Sequence, residues 1–258
     1  MIPAEGFRGS GALLMKKTSI SDLKLAAKDR LLGSYGIATG TFALVFALIY
    51  TLLMVLVFSM IGSGLMTSGN GTMGASVKSL LISTVFSLVI GALSSVMFVG
   101  YISVIMKISR GDRPVISDAF FVLKNHPDKV IIISIIMTVV QMILLLPSNI
   151  VSLSGVTEAK RFLLWTVLYV LGFIASLVFN MYLGLCYMLY IDDVDMDVKY
   201  FVTESVRLMK GNIFRYLYLH LSFIGYYVLV FMSLGVAILW VAPYQYMTMV
   251  QFYEDLRQ

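Results

Sequence analysis

The chain has 258 residues, of which 59% are hydrophobic and 13% charged, with a formal net charge of +5. A soluble domain averages roughly 45–50% apolar and about 25% charged residues. This composition therefore excludes a water-soluble enzyme, a disordered chain and, with one cysteine, a disulfide-stapled scaffold.

Residues 1–14 show no hydrophobic period, and residues 1–17 read as a disordered tail. Met15-Lys16-Lys17 is a plausible true start, and no apolar run follows it that would form a signal peptide. Beyond the tail, Asp, Glu, Lys and Arg are costly at the bilayer centre. They leave five long gaps, at 31–77, 79–106, 130–157, 162–191 and 216–253. The first holds one span, 38–61, because the Gly- and Ser-rich stretch from Ile61 to Thr72 reads as a polar loop. The next three hold one each, at 79–106, 130–153 and 162–191. The last gap would be roughly 57 Å long as a single helix at 1.5 Å per residue, against a hydrocarbon core of ~30 Å. A hairpin at Ser233-Leu234-Gly235 divides it into spans 214–232 and 235–253. The rival reading is one tilted span followed by an interfacial helix from near Pro243. The hairpin gives an all-α bundle of six transmembrane helices in one domain, 18–258.

Six spans put residues 1–37, 107–129, 192–215 and 254–258 on one side, with 16 of the 19 Lys and Arg residues. By the positive-inside rule both termini are cytoplasmic. Each long segment on that side carries a short amphipathic stretch before a span. The stretches start at Ile20, at Ile116 (with Ala119, Phe120 and Leu123 on its apolar face) and at Val198 (with Phe201, Val202 and Met209). From each start to the break before the span, at Gly33, Lys129 and Gly211, is 13 residues. The pattern is three copies of one unit: a headgroup-layer helix, a break, and a two-span hairpin.

The third copy carries a resemblance. Ser205-Val-Arg-Leu-Met-Lys-Gly-Asn212, Leu221-Ser-Phe-Ile-Gly225, Leu234-Gly-Val-Ala-Ile-Leu-Trp-Val-Ala-Pro-Tyr244 and Gln251-Phe-Tyr-Glu-Asp-Leu256 resemble the C-terminal signature of a bacterial membrane family, domain of unknown function 975. The Lys-rich helix from Leu23 to Ser34 is similar to its N-terminal signature, and Tyr226 departs from it where Trp is expected. The resemblance covers residues 18–257. It implies a multi-pass protein of the bacterial plasma membrane, mainly Gram-positive, and implies no catalytic residue. More distantly, the chain is similar to the membrane domains that precede some glycerophosphodiester phosphodiesterases.

A search for chemistry assigns no catalytic, cofactor or metal residue. The two histidines are His126, in the second cytoplasmic loop, and His220, near the inner end of the fifth span. No metal-ligand spacing, phosphate loop or nucleophile elbow is present. Asp192, Asp193, Asp195 and Asp197 suit a hard cation by type. Without the EF-hand glycine and terminal Glu, they read as a solvated loop before a helix N-terminus. No charged residue lies near the midplane, where ion-coupled transporters usually keep one. Gln141, Asn180 and His220 are candidates for a polar pathway or for helix packing, where an interhelical hydrogen bond contributes ~0.6 kcal/mol. Ser83, Ser87, Gly91 and Ser95 form a small-residue packing stripe, facing another helix of the chain or a second protomer. Pro147 and Pro243 are expected to kink their spans. Tyr187, Tyr190, Tyr216, Tyr218, Tyr244, Tyr246 and Tyr253 read as an interfacial belt, and Cys186 as a packing residue.

These readings point to an integral plasma-membrane protein without enzymatic activity that scaffolds, regulates or assists a partner. The alternative is a transporter or channel subunit for a neutral or lipidic substrate, which repeats and Pro-broken spans favour. Expected partners are membrane lipids, with anionic headgroups at Lys24, Lys28, Arg30, Arg207 and Lys210, and a membrane-protein partner or second copy. Nucleic acid is not expected, since no basic patch sits on a soluble domain.

Overall fold

A computed structural model describes residues 18–62, 77–153 and 159–257. The tail at 1–17 and most of the Gly- and Ser-rich loop lie outside the described residues. The described chain is helical, with no strand among the described residues. The order is α1 (Ile20–Leu31), α2 (Tyr35–Gly62), α3 (Val77–Ser109), a 3₁₀ turn (Ile116–Phe120), α4 (Phe121–Lys124), α5 (Pro127–Leu153) and α6 (Ala159–Leu183). There follow α7 (Cys186–Asp192), α8 (Val198–Met209), α9 (Ile213–Leu221), α10 (Ile224–Met232) and α11 (Ile238–Arg257).

Among the described residues, five stretches are long and apolar enough to cross a membrane: Tyr35–Val55, Leu88–Ser109, Pro127–Ser152, Ala159–Asp192 and Ile213–Met232. The fourth runs through α6 and α7, and the fifth through α9 and α10. α11 is not among the five. Gln245, Thr248 and Gln251 dilute its apolar run, and many of its apolar residues, among them Val241, Met247, Val250 and Phe252, are buried in protein.

The long C-terminal apolar run turns back on itself. α10 ends at Met232, and Leu234 (φ +52°) and Gly235 (φ +90°) reverse the chain. The Gly235 amide donates to the Val230 carbonyl at 2.8 Å, and the Ser233 hydroxyl accepts from the Ala237 amide at 2.9 Å. α11 then runs antiparallel to α10: Phe223 meets Tyr244, and the Tyr227 hydroxyl donates to Gln245 at 2.8 Å. Pro147 lies inside α5 and Pro243 inside α11, and each helix continues past its proline.

The short helices are anchored by their sequence. Ser19 caps α1 by accepting from the Asp22 amide at 3.2 Å, and Lys28 and Arg30 sit at its negative end. Gly33 and Gly211 follow α1 and α8 at φ +82°, a conformation that side-chain-bearing residues adopt only with strain. In the middle copy the break is His126, at φ +50°, and Pro127 opens α5. That is three residues earlier than the equal 13-residue spacing places it, because a 3₁₀ turn replaces most of the helix there. The same turn shifts the buried face. Ala119 and Val122 are covered, whereas Ile116 and Leu123 are exposed.

Protein covers much of the apolar faces of these helices, which their period alone assigned to headgroups. α1 packs Leu23, Ala27 and Leu31 toward α11 and α3, the 116–124 segment packs on α3, and α8 packs Phe201, Ser205 and Met209 toward α6 and α7. Gly100 of α3 is the tightest of these contacts. A Cβ there would stand 1.7 Å from the Ala119 carbonyl oxygen. The neighbouring Ser103 hydroxyl reaches both the Gly100 carbonyl, at 2.7 Å, and that of Asp118, at 3.0 Å.

Candidate functional site

Several charged residues converge at one end of the bundle, where the apolar runs of α3, α7 and α11 stop. Arg110 follows α3 and donates to Asp192, the last residue of α7, at 2.5 Å. The Asp192 side chain is only 8% exposed. It also accepts from Arg257 and, at 2.6 Å, from the Tyr253 hydroxyl, both on α11. Glu254 lies 3.7 Å from Arg110 and accepts from the Ser109 hydroxyl at 2.8 Å, while Gln251 donates to that same hydroxyl at 2.7 Å. Asp192 is therefore no solvated loop carboxylate. Its charge is held by two guanidinium groups, which gives a shielded carboxylate its compensation.

A second cluster lies on the same end of α11. Arg215 of α9 pairs with Asp255 at 2.6 Å and donates to the Thr18 carbonyl, and the Thr18 hydroxyl bonds Asp255. Lys24 of α1 donates to the Ser222 carbonyl at 2.8 Å and lies over the Phe223 ring. Lys129 donates to the Val194 carbonyl at 2.7 Å, and Tyr190 bonds the Asn125 carbonyl. Lys107 pairs with Asp118 at 2.8 Å. Burial pushes the Asp118 carboxyl up, but the Lys107 ammonium and the Val115 amide outweigh it and hold the pKa below the ordinary value. All these groups engage each other, so the arrangement locks helix ends together.

The residues singled out in the sequence are scattered. Gln141 on α5 and Asn180 on α6 are exposed, and Asn180 donates to the Ser176 carbonyl of its own helix at 2.7 Å. His220 contacts the Tyr216 carbonyl at 3.0 Å, and its ring meets the Tyr216 ring at a tilt, centroids 4.4 Å apart. No hydrogen bond joins the three among the described residues. Of the small-residue stripe, a Cβ at Gly91 would stand 3.4 Å from the Thr138 hydroxyl of α5, and the buried Ser95 donates to the Ala92 carbonyl of its own helix. The side chains of Ser83 and Ser87 lie outside the described residues. His126 is exposed and stands 4.0 Å from Asp128. Cys186 is buried, its thiol 3.5 Å from the Phe201 carbonyl. No group of three His, Cys, Asp or Glu residues converges for a metal among the described residues.

The tyrosines form no belt. Tyr190, Tyr216, Tyr244 and Tyr253 are buried, and Tyr246 packs edge-on against Tyr101 and Phe98 in the core; Tyr218 is the exposed member of the group. Their amphipathic rings serve helix packing, each hydroxyl needing a local partner. Sequence reasoning missed the Arg110–Asp192–Arg257 cluster. Its one available signal was that a charge ends each of the three helices.

No curated protein and no solved structure matches the chain, so the likeness to membrane domains of glycerophosphodiester phosphodiesterases gains no support. A family match covers residues 15–258, nearly the whole chain, and on it the chain belongs to the family described as protein of unknown function (DUF975).

Proposed function

We propose that this chain is a six-span protein of the bacterial plasma membrane, with both termini in the cytoplasm, that scaffolds, regulates or assists a partner without catalysing a reaction. The observation that carries this reading is the mutual pairing of the converging polar groups. Arg110, Asp192, Arg257, Glu254, Arg215 and Asp255 are spent on one another rather than aimed together into a cavity as an acid–base set would be. The topology draws support from the same contacts. The segments that the charge bias assigns to the cytoplasm touch one another through Thr18, Arg110, Asp192, Arg215 and Arg257.

The threefold arrangement has support of its own. The second and third short segments pack on the closing helix of the preceding unit, α3 and α6–α7, and α1 packs on α11, the closing helix of the last. That closes a ring. Anionic lipid would then meet Lys28, Arg30 and Lys210, which are exposed, rather than Lys24 or Arg207, which hold protein groups.

A second reading is a transporter or channel subunit for a neutral or lipidic substrate. The interruptions between α6 and α7 and between α9 and α10 favour it, since broken spans often line transport sites. Purified protein in liposomes decides between the two. The first reading expects no substrate flux and a partner recovered by crosslinking in native membranes. Reproducible flux that Gln141→Leu or Asn180→Leu abolishes would overturn it.

A further inference from the structure

Two open apolar clefts cut the side of the bundle, of about 580 and 510 Å³, within the range of small-ligand sites. The first lies between α2, α3 and the start of α5, against Leu48, Leu93, Val96, Leu123 and Ile131. The second lies between α6 and the start of α9, against Ile174, Leu177, Met181, Ile213 and Phe214. They are counterparts: each sits where the second helix of one hairpin meets the first helix of the next.

An exposed lysine stands next in sequence to a lining residue of each cleft. Lys124 adjoins Leu123 in the first, and Lys210 adjoins Gly211 in the second. Of the nearby carboxylates, Asp118 pairs with Lys107 and also feels the Lys124 charge, Glu204 pairs with Arg207, and Asp128 is next in sequence to Lys129. Each mouth also opens at the N-terminal turn of a helix, α5 or α9, where the helix dipole adds to the positive field. An apolar slot under a positive rim matches a ligand with a hydrocarbon tail and an anionic head.

We propose that each cleft seats an acyl chain of an anionic phospholipid from the cytoplasmic leaflet, with its phosphate at Lys124 or Lys210. The proposal rests on the membrane reading above and names the lipid class that its basic rim selects. The full chain, extracted in mild detergent and analysed by native mass spectrometry with lipid extraction, should retain two phospholipids. Anionic heads should be enriched about fivefold, the factor that one lysine's ~1 kcal/mol near an anionic surface gives. Leu93→Trp and Leu177→Trp should each lose one lipid while keeping the wild-type circular dichroism and melting curve. Lys124→Glu and Lys210→Glu, which change exposed side chains, should keep the lipids but lose the anionic preference. Wild-type protein without held lipid, tryptophan variants with unchanged lipid content, or lysine variants with unchanged preference overturns the proposal. So does an oligomer that the tryptophan variants disperse with lipid unchanged, for then a helix of another chain fills the clefts. Alkaline carbonate washing separates the two readings. A chain released from the membrane sinks the membrane reading itself, whereas a retained chain without bound lipid sinks the clefts alone.

Discussion

The Tyr253 hydroxyl donates to the Asp192 carboxylate at 2.6 Å, tying the last turns of α11 to the end of α7. Asp192 simultaneously holds Arg110 and Arg257, so one side chain joins three helices that are remote in sequence. Removing one member of such a cluster leaves its partners uncompensated. That costs about 3–5 kcal/mol in a fully buried pair. Arg110 and Arg257 are 44% and 39% exposed, so water relieves part of the loss and about 1–3 kcal/mol is expected here. Asp192→Asn should therefore lower the melting temperature in detergent by several degrees. Asp193→Asn, whose side chain is 40% exposed and 3.8 Å from Arg257, should leave it nearly unchanged. Equal melting of both variants would show that the cluster holds nothing together.

Gly100 and Gly91 lie on the same helix but predict opposite outcomes. A methyl group at 100 strikes backbone, the Ala119 carbonyl oxygen at 1.7 Å and its carbon at 2.7 Å, and a backbone that also holds the 3₁₀ turn cannot step aside cheaply. Overpacking of this kind costs typically 1–3 kcal/mol and sometimes more, so Gly100→Ala should sharply reduce the yield of folded protein. At 91 the nearest atom is the Thr138 hydroxyl at 3.4 Å, an ordinary contact, and alanine is the better helix former. Gly91→Ala should fold as well as the wild type in a gel-filtration stability assay. A monodisperse, equally stable Gly100→Ala protein would mean that α3 and the 116–124 segment are not in contact.

The helices themselves were legible because charge-free runs and positive-φ glycines act locally. The five stretches apolar enough to cross a membrane coincide with gaps in the charge pattern, and the chain reverses at Leu234 and Gly235, where the preferred of the two sequence readings placed a hairpin. What covers a helix was not legible. An apolar stripe records only that a face avoids water, and lipid and protein satisfy it equally. Phe201 and Met209 therefore read as membrane-surface residues while lying in the protein interior, and buried tyrosines such as Tyr190 and Tyr253 read as a belt. The pairing of Arg110 with Asp192 spans 82 residues, and nothing in either residue's local sequence selects the other.

Acid should weaken the contact between α3 and the 116–124 segment. Asp118 accepts from the Val115 amide at 2.9 Å and pairs with Lys107 at 2.8 Å, and its folded-state pKa lies below the ordinary 3.8. A depressed carboxyl contributes stability that is fully present above its unfolded pKa and lost as pH falls through the folded one. The loss therefore falls below about pH 4. It is modest, because Lys107 is 40% exposed and partly screened. The melting temperature of Asp118→Asn should be lower than wild type at neutral pH, and the two curves should converge under acid. A constant gap from pH 7 down to pH 3 would rule out this carboxylate as the source.

The reversal between α10 and α11 gives the most direct reading of topology. Leu234 is 95% exposed at its tip, Lys210 is exposed at the end of α8, and α9 and α10 alone separate them. The native thiol, Cys186, is buried and should give little background. In whole cells, an impermeant maleimide should label Leu234→Cys without permeabilisation and Lys210→Cys only after it, because the proposed topology puts the basic segments inside. The opposite pattern would invert the protein. Labelling of both positions only after permeabilisation would mean that α9 and α10 do not cross, so that the C-terminal hairpin packs against the cytoplasmic ends of the other helices.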